Sequence, residues 1–491
     1  MQTPVDNLEP SQLWKFFGQL SQIPRESKKE DKAVEWLVQT GRALGCEVET
    51  QPIGSADRPF FANVLLRKQA TAGREDRPVT VMQAHIDMVC EKNADCPHDF
   101  SKDPIALRID GDSVRATDTT LGADNGIGLC SALAIMADET LEHGPLEVII
   151  TVDEEAGMSG ARFLKPGWLR AQYLLNLDSE EEGEATISCA GAMDSQGTRP
   201  LTLIPASRGQ VCLALKVRGL AGGHSGLNIG EGRGNANKLM GAVMVQFMEA
   251  AALELASVQG GNKRNAIPRE ATAVFFCDPA DVERLRAIAA RMQAEGRAAL
   301  PAVDSGLTIS LEPSAAADTV MSAADARAVL DVLTELPNGK QAMSKEVPGL
   351  VETSTNLAIV STSVDAVEIS LLSRSSVDAA KYDLAKEIRR VFTGHGFVCE
   401  ELNDYPGWQP APECDVVRLV KRAHEEVAGV PLKITAMHAG LECGLIGKVY
   451  PEMQMISFGP NMWGVHTPQE HVSISSVANF WKLLRGVIER V

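Results

Sequence analysis

The chain has 491 residues, of which 44% are hydrophobic and 23% are charged, as is typical of globular proteins. A chain of this length is expected to form two or three domains. Its 65 acidic residues outnumber its 47 basic ones, and the net charge of −18 argues against a nucleic-acid partner or an anionic membrane surface.

The cysteines and the amino terminus favour a cytoplasmic protein. The ten cysteines are scattered singly without a CxxC pair, which argues against a zinc ribbon or a thioredoxin-type site and predicts reduced, buried thiols. The sequence MQTPVDNLEPSQLWKFFGQL has no basic segment followed by an apolar core, so no signal peptide is predicted. Because no apolar run reaches about 18 residues, no membrane-spanning helix is predicted either.

The first part of the chain alternates helical and strand patterns. Two amphipathic helices are predicted between residues 7 and 44, followed by strands over residues 62–67 and 79–84. The second strand runs directly into His85 and Asp87. Side chains alternate along an extended segment, so both point to one face, where Asp87 can orient His85 as a metal ligand. The alternative for this short motif is a surface or packed histidine.

A glycine-flanked aspartate follows in the segment TTLGADNGIG. Asp124 precedes an apolar helix predicted over residues 127–136. The glycines allow close backbone approach and unusual dihedral angles around this aspartate. A helix-capping aspartate is the alternative. A phosphate loop is disfavoured because the segment lacks the G-K-[ST] ending.

The segment TVDEEAGMSG places two adjacent carboxylates at the end of a strand predicted over residues 146–150. Glu154 and Glu155 would repel each other unless a cation or a shared proton relieves the repulsion. A solvated acidic turn is the alternative. The next buried strand, predicted over residues 173–178, ends at a further carboxylate, Asp178.

The alternation of short strands and helices predicts an α/β domain with a mixed, largely parallel sheet. In such sheets functional groups gather at the carboxyl ends of the strands. Five polar residues fall at or just after predicted strand ends: His85, Asp124, Glu154, Glu155 and Asp178. Their coincidence makes the separate alternatives jointly improbable.

The pattern changes after Gly191. Residues 191–399 are predicted to form an inserted α+β lid domain between two parts of a catalytic domain, residues 1–190 and 400–491. Within the lid, a long apolar helix is predicted over residues 236–256.

The last part of the chain, from about residue 400, again shows the strand and helix patterns of the first part. Its segment KITAMHAG contains His438, and a loop after the strand predicted over residues 453–459 contains His466. His471 is predicted to open the final helix as a capping or surface residue.

The polar residues together have the composition of a hydrolytic metal site. Asp124, Glu155 and Asp178 supply oxygen ligands, whereas His85 and His466 supply nitrogens. Five such groups suit two divalent cations better than one, and a carboxylate must then bridge the ions. Asp124 is the candidate bridge. Glu154 is adjacent to a ligand without being one, which is where a general base would lie.

These segments resemble the co-catalytic zinc aminoacylase, carboxypeptidase and dipeptidase family. The matching pieces span residues 85–466 in the family's order: AHIDMV, GADNGIG, TVDEEAGMSGA, NLDSEE, GGHSG and GVHTPQEHV. The segments NLDSEEEGEATISCAG, NKRNAIPRE and HAGLECG are most similar to its bacterial cytosolic branch, which acts on aminoacyl-histidine dipeptides. The resemblance implies a zinc-exopeptidase-like catalytic domain, an inserted lid and a homodimer.

The resemblance also implies a role for each matching residue. One zinc would be held by His85, Asp124 and Asp178, and the other by Asp124, Glu155 and His466. Asp87 would orient His85, Glu154 would act as the base that later protonates the leaving amine, and His224 would polarise the scissile carbonyl. Asn265, Arg374 and the backbone near Gly440 would bind the substrate, with Arg374 pairing with its carboxylate. Whether His224 serves its own subunit or a partner is left open.

The resulting hypothesis is a dipeptidase with two Zn2+ per chain and broad specificity for unblocked dipeptides, including Xaa-His dipeptides such as carnosine. Hydrolysis would use a water activated by zinc and by Glu154 as general base; Co2+ or Mn2+ would also suit these ligands. The first alternative is an N-acyl amino acid deacylase, or a tripeptidase or other exopeptidase, on the same scaffold. The second is a catalytically inactive binding or regulatory protein, against which the complete ligand set argues.

Overall fold

The computed structural model describes residues 3–54 and 58–491, which form a mixed α/β fold. The α-helices of these residues are α1 Ser11–Leu20, α2 Asp31–Ala43, α3 Ala123–Ala137, α4 Glu154–Gly157, α5 Ser159–Arg162, α6 Ala236–Ala250, α7 Val282–Ala299, α8 Ala323–Glu335, α9 Asp378–Gly394, α10 Asp415–Ala428, α11 Glu442–Val449 and α12 Ile474–Ile488.

The strands of the same residues are β1 Glu47–Pro52, β2 Ala62–Lys68, β3 Thr80–His85, β4 Leu107–Asp110, β5 Ser113–Ala116, β6 Leu146–Thr151, β7 Tyr173–Asn176, β8 Glu184–Cys189, β9 Gly191–Pro200, β10 Leu203–Pro205, β11 Val211–Arg218, β12 Gly223–His224, β13 Leu253–Gly260, β14 Ala266–Ile267, β15 Ala271–Cys277, β16 Thr308–Pro313, β17 Thr319–Met321, β18 Gly339–Met343, β19 Val351–Thr362, β20 Ala366–Ser375, β21 Val398–Tyr405, β22 Lys433–Met437, β23 Gln454–Ser457, β24 Met462–Trp463 and β25 His471–Ser473.

The chain divides into two compact units. The first, called here the metal unit, comprises Met1–Ser188, Pro410–Ala436 and Leu441–Val491; the second, the insert unit, comprises Cys189–Gln409 and Met437–Gly440. The predicted boundaries at residues 190 and 399, and the names catalytic domain and lid, remain predictions.

An eight-stranded sheet forms the centre of the metal unit, in the order β1-β2-β6-β3-β7-β23-β8-β22. The pairs β3/β6, β3/β7 and β7/β23 are parallel, whereas β1/β2, β2/β6 and β23/β8 are antiparallel. The predicted mixed sheet is thereby confirmed, with its parallel pairing at the centre. Strands β3 and β6 are buried along their whole length, including their polar residues Gln83, Glu147 and Thr151.

The insert unit is built on a nine-stranded sheet whose main path is β16-β11-β15-β13-β19-β20-β9-β21, with β18 paired to β19. The pairs along this path are antiparallel. Helices α6, α7, α8 and α9 contribute buried apolar side chains to one core with the sheet. This antiparallel sheet with packed helices agrees with the α+β organisation predicted for residues 191–399.

Two predicted helix boundaries are wrong. The helix predicted over residues 236–256 ends at Ala250, because Ala251 is extended and the chain continues as β13, whose apolar residues pair with β15. His471 does not open the last helix; it lies in β25, and the hydroxyl of Ser473 caps the helix by accepting a hydrogen bond from Ser476 N. None of the helices in the described residues is long and apolar enough to cross a bilayer.

Candidate metal centre

Neighbouring strands of the metal unit bring the predicted ligands together. His85 is the last residue of β3, Glu155 follows β6 and Asp178 follows β7. Because β3 pairs in parallel with both β6 and β7, the carboxyl ends of the three strands lie at one edge of the sheet. The predicted gathering of functional groups at strand ends therefore holds for His85, Glu155 and Asp178, whereas Asp124 lies at the start of α3, after a loop.

Asp124 lies between two histidines and presents one carboxylate oxygen to each. Its Oδ1 is 3.2 Å from His85 Nε2, which is also 3.4 Å from Asp178 Oδ1. Its Oδ2 is 3.2 Å from His466 Nε2, which is also 3.0 Å from the Glu155 carboxylate. The five side chains thus form two nitrogen-and-oxygen clusters that share Asp124.

Burial and neighbouring charges shift the pKa values of three of these groups, Asp124, Asp178 and His466. Burial would raise the pKa of Asp124, but hydrogen bonds from His466 and His85 outweigh it and lower the pKa. Burial raises the pKa of Asp178 to about 6 despite the nearby His85. Hydrogen bonds to Asp124 and Glu155 raise the pKa of His466 to about 11. The cluster therefore holds three carboxylates whose negative charge, among the described residues, faces the two histidines.

The donor set fits divalent cations better than protons. An imidazole N–H points at one acceptor, yet Nε2 of each histidine lies between carboxylate oxygens of two residues. One ligand atom each of His85, Asp124 and Glu155 lies within 4.8 Å of the others, so a single ion can reach all three. Histidine nitrogen with carboxylate oxygen is a donor combination that zinc accepts. Asp124, with an oxygen in each cluster, has the geometry of a bridging ligand.

Asp87 connects His85 to the turn that bears the two glutamates. Its Oδ1 is 3.3 Å from His85 Nδ1 and accepts a hydrogen bond from Glu154 N at 3.0 Å. Its Oδ2 accepts from Glu155 N at 3.1 Å and from Ser27 Oγ at 2.8 Å. This fully buried carboxylate therefore fixes the imidazole and the adjacent backbone at once.

The turn before Glu154 is backbone-strained. Asp153 has a φ of 57°, in the left-handed region that residues with a Cβ seldom adopt. Its N–H donates to the buried Glu30 carboxylate at 2.9 Å, which holds the turn in place. Burial raises the pKa of Glu154 well above its ordinary value; His85 opposes this, whereas Asp178 contributes to it. A carboxyl group with a raised pKa next to a ligand suits proton transfer near neutral pH.

The loop that carries Asp124 is held by two residues for which no role was predicted from the sequence. The Glu470 carboxylate accepts hydrogen bonds from the backbone N–H groups of Leu121, Gly122 and Ala123 at 2.7, 3.0 and 2.7 Å. The buried Arg25 donates to the Gly122 carbonyl oxygen. Gly122 has a φ of 71°, and a Cβ there would lie 2.3 Å from the Arg25 guanidinium, so glycine is required.

Glu470 also belongs to the segment that carries His466, four residues earlier. Glu470 lies within the motif GVHTPQEHV. Only the fold shows that its carboxylate reaches a loop 346 to 349 residues earlier in the sequence. His466 itself has a φ of 63°. The Glu470 carboxylate therefore links the segment that carries His466 to the loop that carries Asp124.

In the insert unit, His224 is held in a defined tautomer. Its Nδ1 accepts hydrogen bonds from the N–H groups of Gly226 and Leu227, both at 3.1 Å, so Nδ1 carries no proton. The proton is then on Nε2, which can donate. Burial lowers the pKa of His224, and Arg374 lowers it further, so the neutral donor form dominates at pH 7.

Arg374 is a buried guanidinium without an acidic partner in the part of the chain described. It is 5% exposed, its Nη1 donates to Tyr405 Oη at 3.2 Å, and its Nε has no hydrogen-bond partner. It lies opposite Ser354 in the β19/β20 pair, and Ser354 Oγ is 2.8 Å from His438 Nε2. Burial and Arg374 lower the pKa of His438 to about 4. This group of basic residues therefore lacks an anion.

The other two predicted substrate residues also lie in the insert unit. The carbonyl oxygen of Asn265 accepts a hydrogen bond from Ser225 N at 2.9 Å, next to the β12/β14 pair that contains His224. Gly440 ends the segment Met437–Gly440, in which the His438 carbonyl oxygen packs against Gly226. The insert unit thus brings His224, Arg374, Asn265 and this segment into one region; their roles remain predictions.

Comparisons with known proteins agree along nearly the whole chain. The family model described as peptidase family M20/M25/M40 matches residues 81–490. The cytosol non-specific dipeptidase of Escherichia coli (strain K12) is 40% identical over 487 residues, which cover 99% of each protein. Among solved structures, aminoacylhistidine dipeptidase from Vibrio alginolyticus is 38% identical with a TM-score of 0.94, over 100% of this chain and 98% of that one.

A more distant structure, aminopeptidase PepT from Bacillus cereus, is 17% identical with a TM-score of 0.57 over 98% of both chains, which shows a shared fold alone. The family model and the 40% identical relative each cover most of the sequence. The family resemblance of the motifs is thereby confirmed. The chain belongs to peptidase family M20/M25/M40.

Proposed function

We propose that this protein is a dipeptidase that uses two zinc ions per chain. His85, Asp124 and Asp178 would hold one ion; Asp124, Glu155 and His466 would hold the other. The observation that carries this proposal is Asp124, whose two carboxylate oxygens face two different histidines at 3.2 Å each. Co2+ or Mn2+ could replace zinc at such ligands.

When bound, the ions supply electrophilic polarisation of the scissile carbonyl and acidify water. Glu154 supplies the proton transfers. Its carboxylate removes a proton from the attacking water and then donates that proton to the leaving amine nitrogen. The raised pKa of Glu154 favours the second half of this cycle, and Asp87 keeps the Glu154 backbone and the His85 ring in fixed positions.

Two residues of the insert unit would act on the substrate. His224 would donate its Nε2 hydrogen to the carbonyl oxygen as negative charge develops there, which its fixed neutral tautomer allows. Arg374 would pair with the free carboxylate of the dipeptide, and this role is supported by the lack of an acidic partner for its buried guanidinium among residues 3–54 and 58–491. Asn265 and the backbone near Gly440 would complete substrate binding.

The substrates would be unblocked dipeptides of broad side-chain character, including Xaa-His dipeptides such as carnosine. The names of the two relatives, a non-specific dipeptidase and an aminoacylhistidine dipeptidase, support this substrate class. A cytoplasmic location is supported by the name of the first relative and by ten cysteines that are all free thiols. A homodimer is carried over from the family resemblance, and sedimentation of the purified protein would test it.

A substrate panel on the zinc-loaded protein tests the proposal. We expect hydrolysis of Ala-His, β-Ala-His and Gly-Gly, with dipeptide amides cleaved at least ~100-fold less efficiently, because they lack the carboxylate and a buried charge pair discriminates on this scale. Tripeptides, whose carboxylate lies one residue further from the scissile bond, and N-acetyl amino acids, which lack the free amine, should also be cleaved more slowly. Preferred hydrolysis of N-acetyl amino acids would establish a deacylase instead, and preferred tripeptide cleavage another exopeptidase. Fewer than two bound ions with no turnover would support an inactive binding protein.

A further inference from the structure

A buried row of polar side chains runs across four neighbouring strands of the metal unit. Thr151, Gln83, Asn176 and Ser457 lie on β6, β3, β7 and β23, which are adjacent in the sheet, and each is completely buried. Polar groups in such a position are costly unless they bond to one another. The row lies just before the strand ends that present the candidate ligands.

The row is continuous through hydrogen bonds. Ser457 Oγ donates to Asn176 Oδ1, and Asn176 Nδ2 donates to Gln83 Oε1. Gln83 Nε2 in turn donates to Glu442 Oε2 at 2.6 Å, and Thr151 Oγ1 donates to the same oxygen at 2.6 Å. Glu442 is therefore the acceptor on which the row ends.

Glu442 itself is an unusual core residue. It is completely buried at the start of α11, and no basic side chain among residues 3–54 and 58–491 forms an ion pair with it. Its second oxygen, Oε1, has no hydrogen-bond partner. Burial raises its pKa to about 8. A hydrophobic side chain here would leave Gln83 Nε2 and Thr151 Oγ1 without an acceptor, so this carboxyl group serves the polar row rather than apolar packing.

The positions of the row members along their strands relate the row to His85 and Asp178 of the candidate metal centre. Gln83 lies two residues before His85 on the same face of β3, and Thr151 is the register partner of His85 in β6. Asn176 lies two residues before Asp178. Glu155 and His466 lie further from the row along the chain, four residues after Thr151 and nine residues after Ser457.

We propose that Glu442 is a positioning residue for the ion site formed by His85 and Asp178, acting through Gln83 and Thr151. This inference rests on the metal centre proposed above. By fixing the strand ends, Glu442 sets the separation of the two ligand atoms without touching the ion. Its removal weakens binding at this site and leaves the site of Glu155 and His466 almost unchanged.

The test is stepwise Co2+ titration of the metal-free full-length protein, followed by visible absorption. Asp178→Asn and Glu155→Gln identify which binding step belongs to which site. In Glu442→Leu we expect the step lost in Asp178→Asn to weaken about 10–100-fold, the range typical of residues that support ligands. The other step should stay within about threefold. Glu442→Gln keeps an acceptor oxygen and should restore both steps.

Glu147→Leu is the matched control. Glu147 is a buried carboxylate on the same strand as Thr151, but it pairs with Arg67 at the opposite end of β6. We expect it to lower stability without changing either binding step. If Glu442→Leu does not fold, Thr151→Val removes one donor to Glu442 with little change in shape, and it should weaken the same step about 3–10-fold.

Three results would overturn the inference: two unchanged steps in the folded Glu442 and Thr151 variants, two equally weakened steps, or a weakened step that matches Glu155→Gln. A wild-type protein that binds fewer than two ions would contradict the proposed function itself. The two failures are therefore distinguishable by the wild-type titration alone.

Discussion

The two compact units are electrostatically incomplete in opposite senses. In the metal unit, three carboxylates crowd around two histidines, so acidic groups outnumber basic ones in this cluster of the described residues. In the insert unit, Arg374 is buried beside two histidines without any carboxylate partner in the described residues. The first arrangement calls for cations and the second for an anion. The difference teaches that a site can be recognised by the charge it lacks.

The metal unit also contains the proposed proton carrier, Glu154. Glu154→Gln would remove that carrier while leaving the carboxylates that face His85 and His466 intact. We expect kcat to fall at least ~100-fold, as is typical for loss of a general base, with zinc content unchanged. Steady-state kinetics with metal analysis would check this, and wild-type turnover by the variant would remove Glu154 from the mechanism.

Arg374→Met tests the opposite imbalance in the insert unit. Loss of the guanidinium should raise KM for dipeptides about 100-fold, because a buried charge pair with the substrate carboxylate is lost. The melting temperature of the free protein should stay constant or rise, because an unpaired buried charge has been removed. Dipeptide amides serve as the control substrates, and an equal loss for amides and acids would exclude carboxylate recognition.

Glu470→Gln sharpens the account of the metal unit by loosening the Asp124 loop. The Glu470 carboxylate accepts hydrogen bonds from backbone N–H groups through both of its oxygens, and in the variant an amide NH2 group faces some of these donors. We therefore expect the free energy of unfolding to fall by about 3 kcal/mol and zinc to bind more weakly. Urea unfolding of the metal-free and zinc-loaded forms would measure both. Glu489→Gln, at a half-exposed position, is the control; equal effects of the two variants would contradict a role in the loop.

The smallest effect is expected from His438 in the insert unit. Its pKa is lowered to about 4 in the folded protein, so below pH 6.5 the unfolded chain binds more protons than the folded one. The free energy of unfolding is therefore unaffected by His438 above pH 6.5. It decreases as the pH falls toward 4, by at most about 3 kcal/mol. Unfolding of His438→Gln should depend less on pH across this window, and an unchanged profile would contradict the assignment.

The sequence predicted the metal unit better than the insert unit, for a physical reason. His85 ends one largely buried strand, Glu155 and Asp178 follow two others, and parallel pairing brings such strand ends to one edge. In the insert unit, the helix predicted over residues 236–256 extended too far. Apolar periodicity alone does not distinguish the end of α6 at Ala250 from the strand β13 that follows it.

Residues that act through others were not accessible from sequence. Glu470 and Glu442 lie inside the quoted motifs, but their partners are far away in the chain. Neither spacing nor composition indicates that one carboxylate accepts from the Asp124 loop and the other from Gln83 and Thr151. The tautomer of His224 likewise depends on two local N–H groups that only the folded turn presents.

The most direct test of the central claim is the zinc content of the purified protein after saturation and removal of free metal. If Asp124 bridges two ions, the wild type should hold two equivalents, Asp178→Asn and Glu155→Gln about one each, and Asp124→Ala fewer than one. Two equivalents retained by Asp124→Ala, or a wild type that never exceeds one, would contradict a shared carboxylate at the centre of this site.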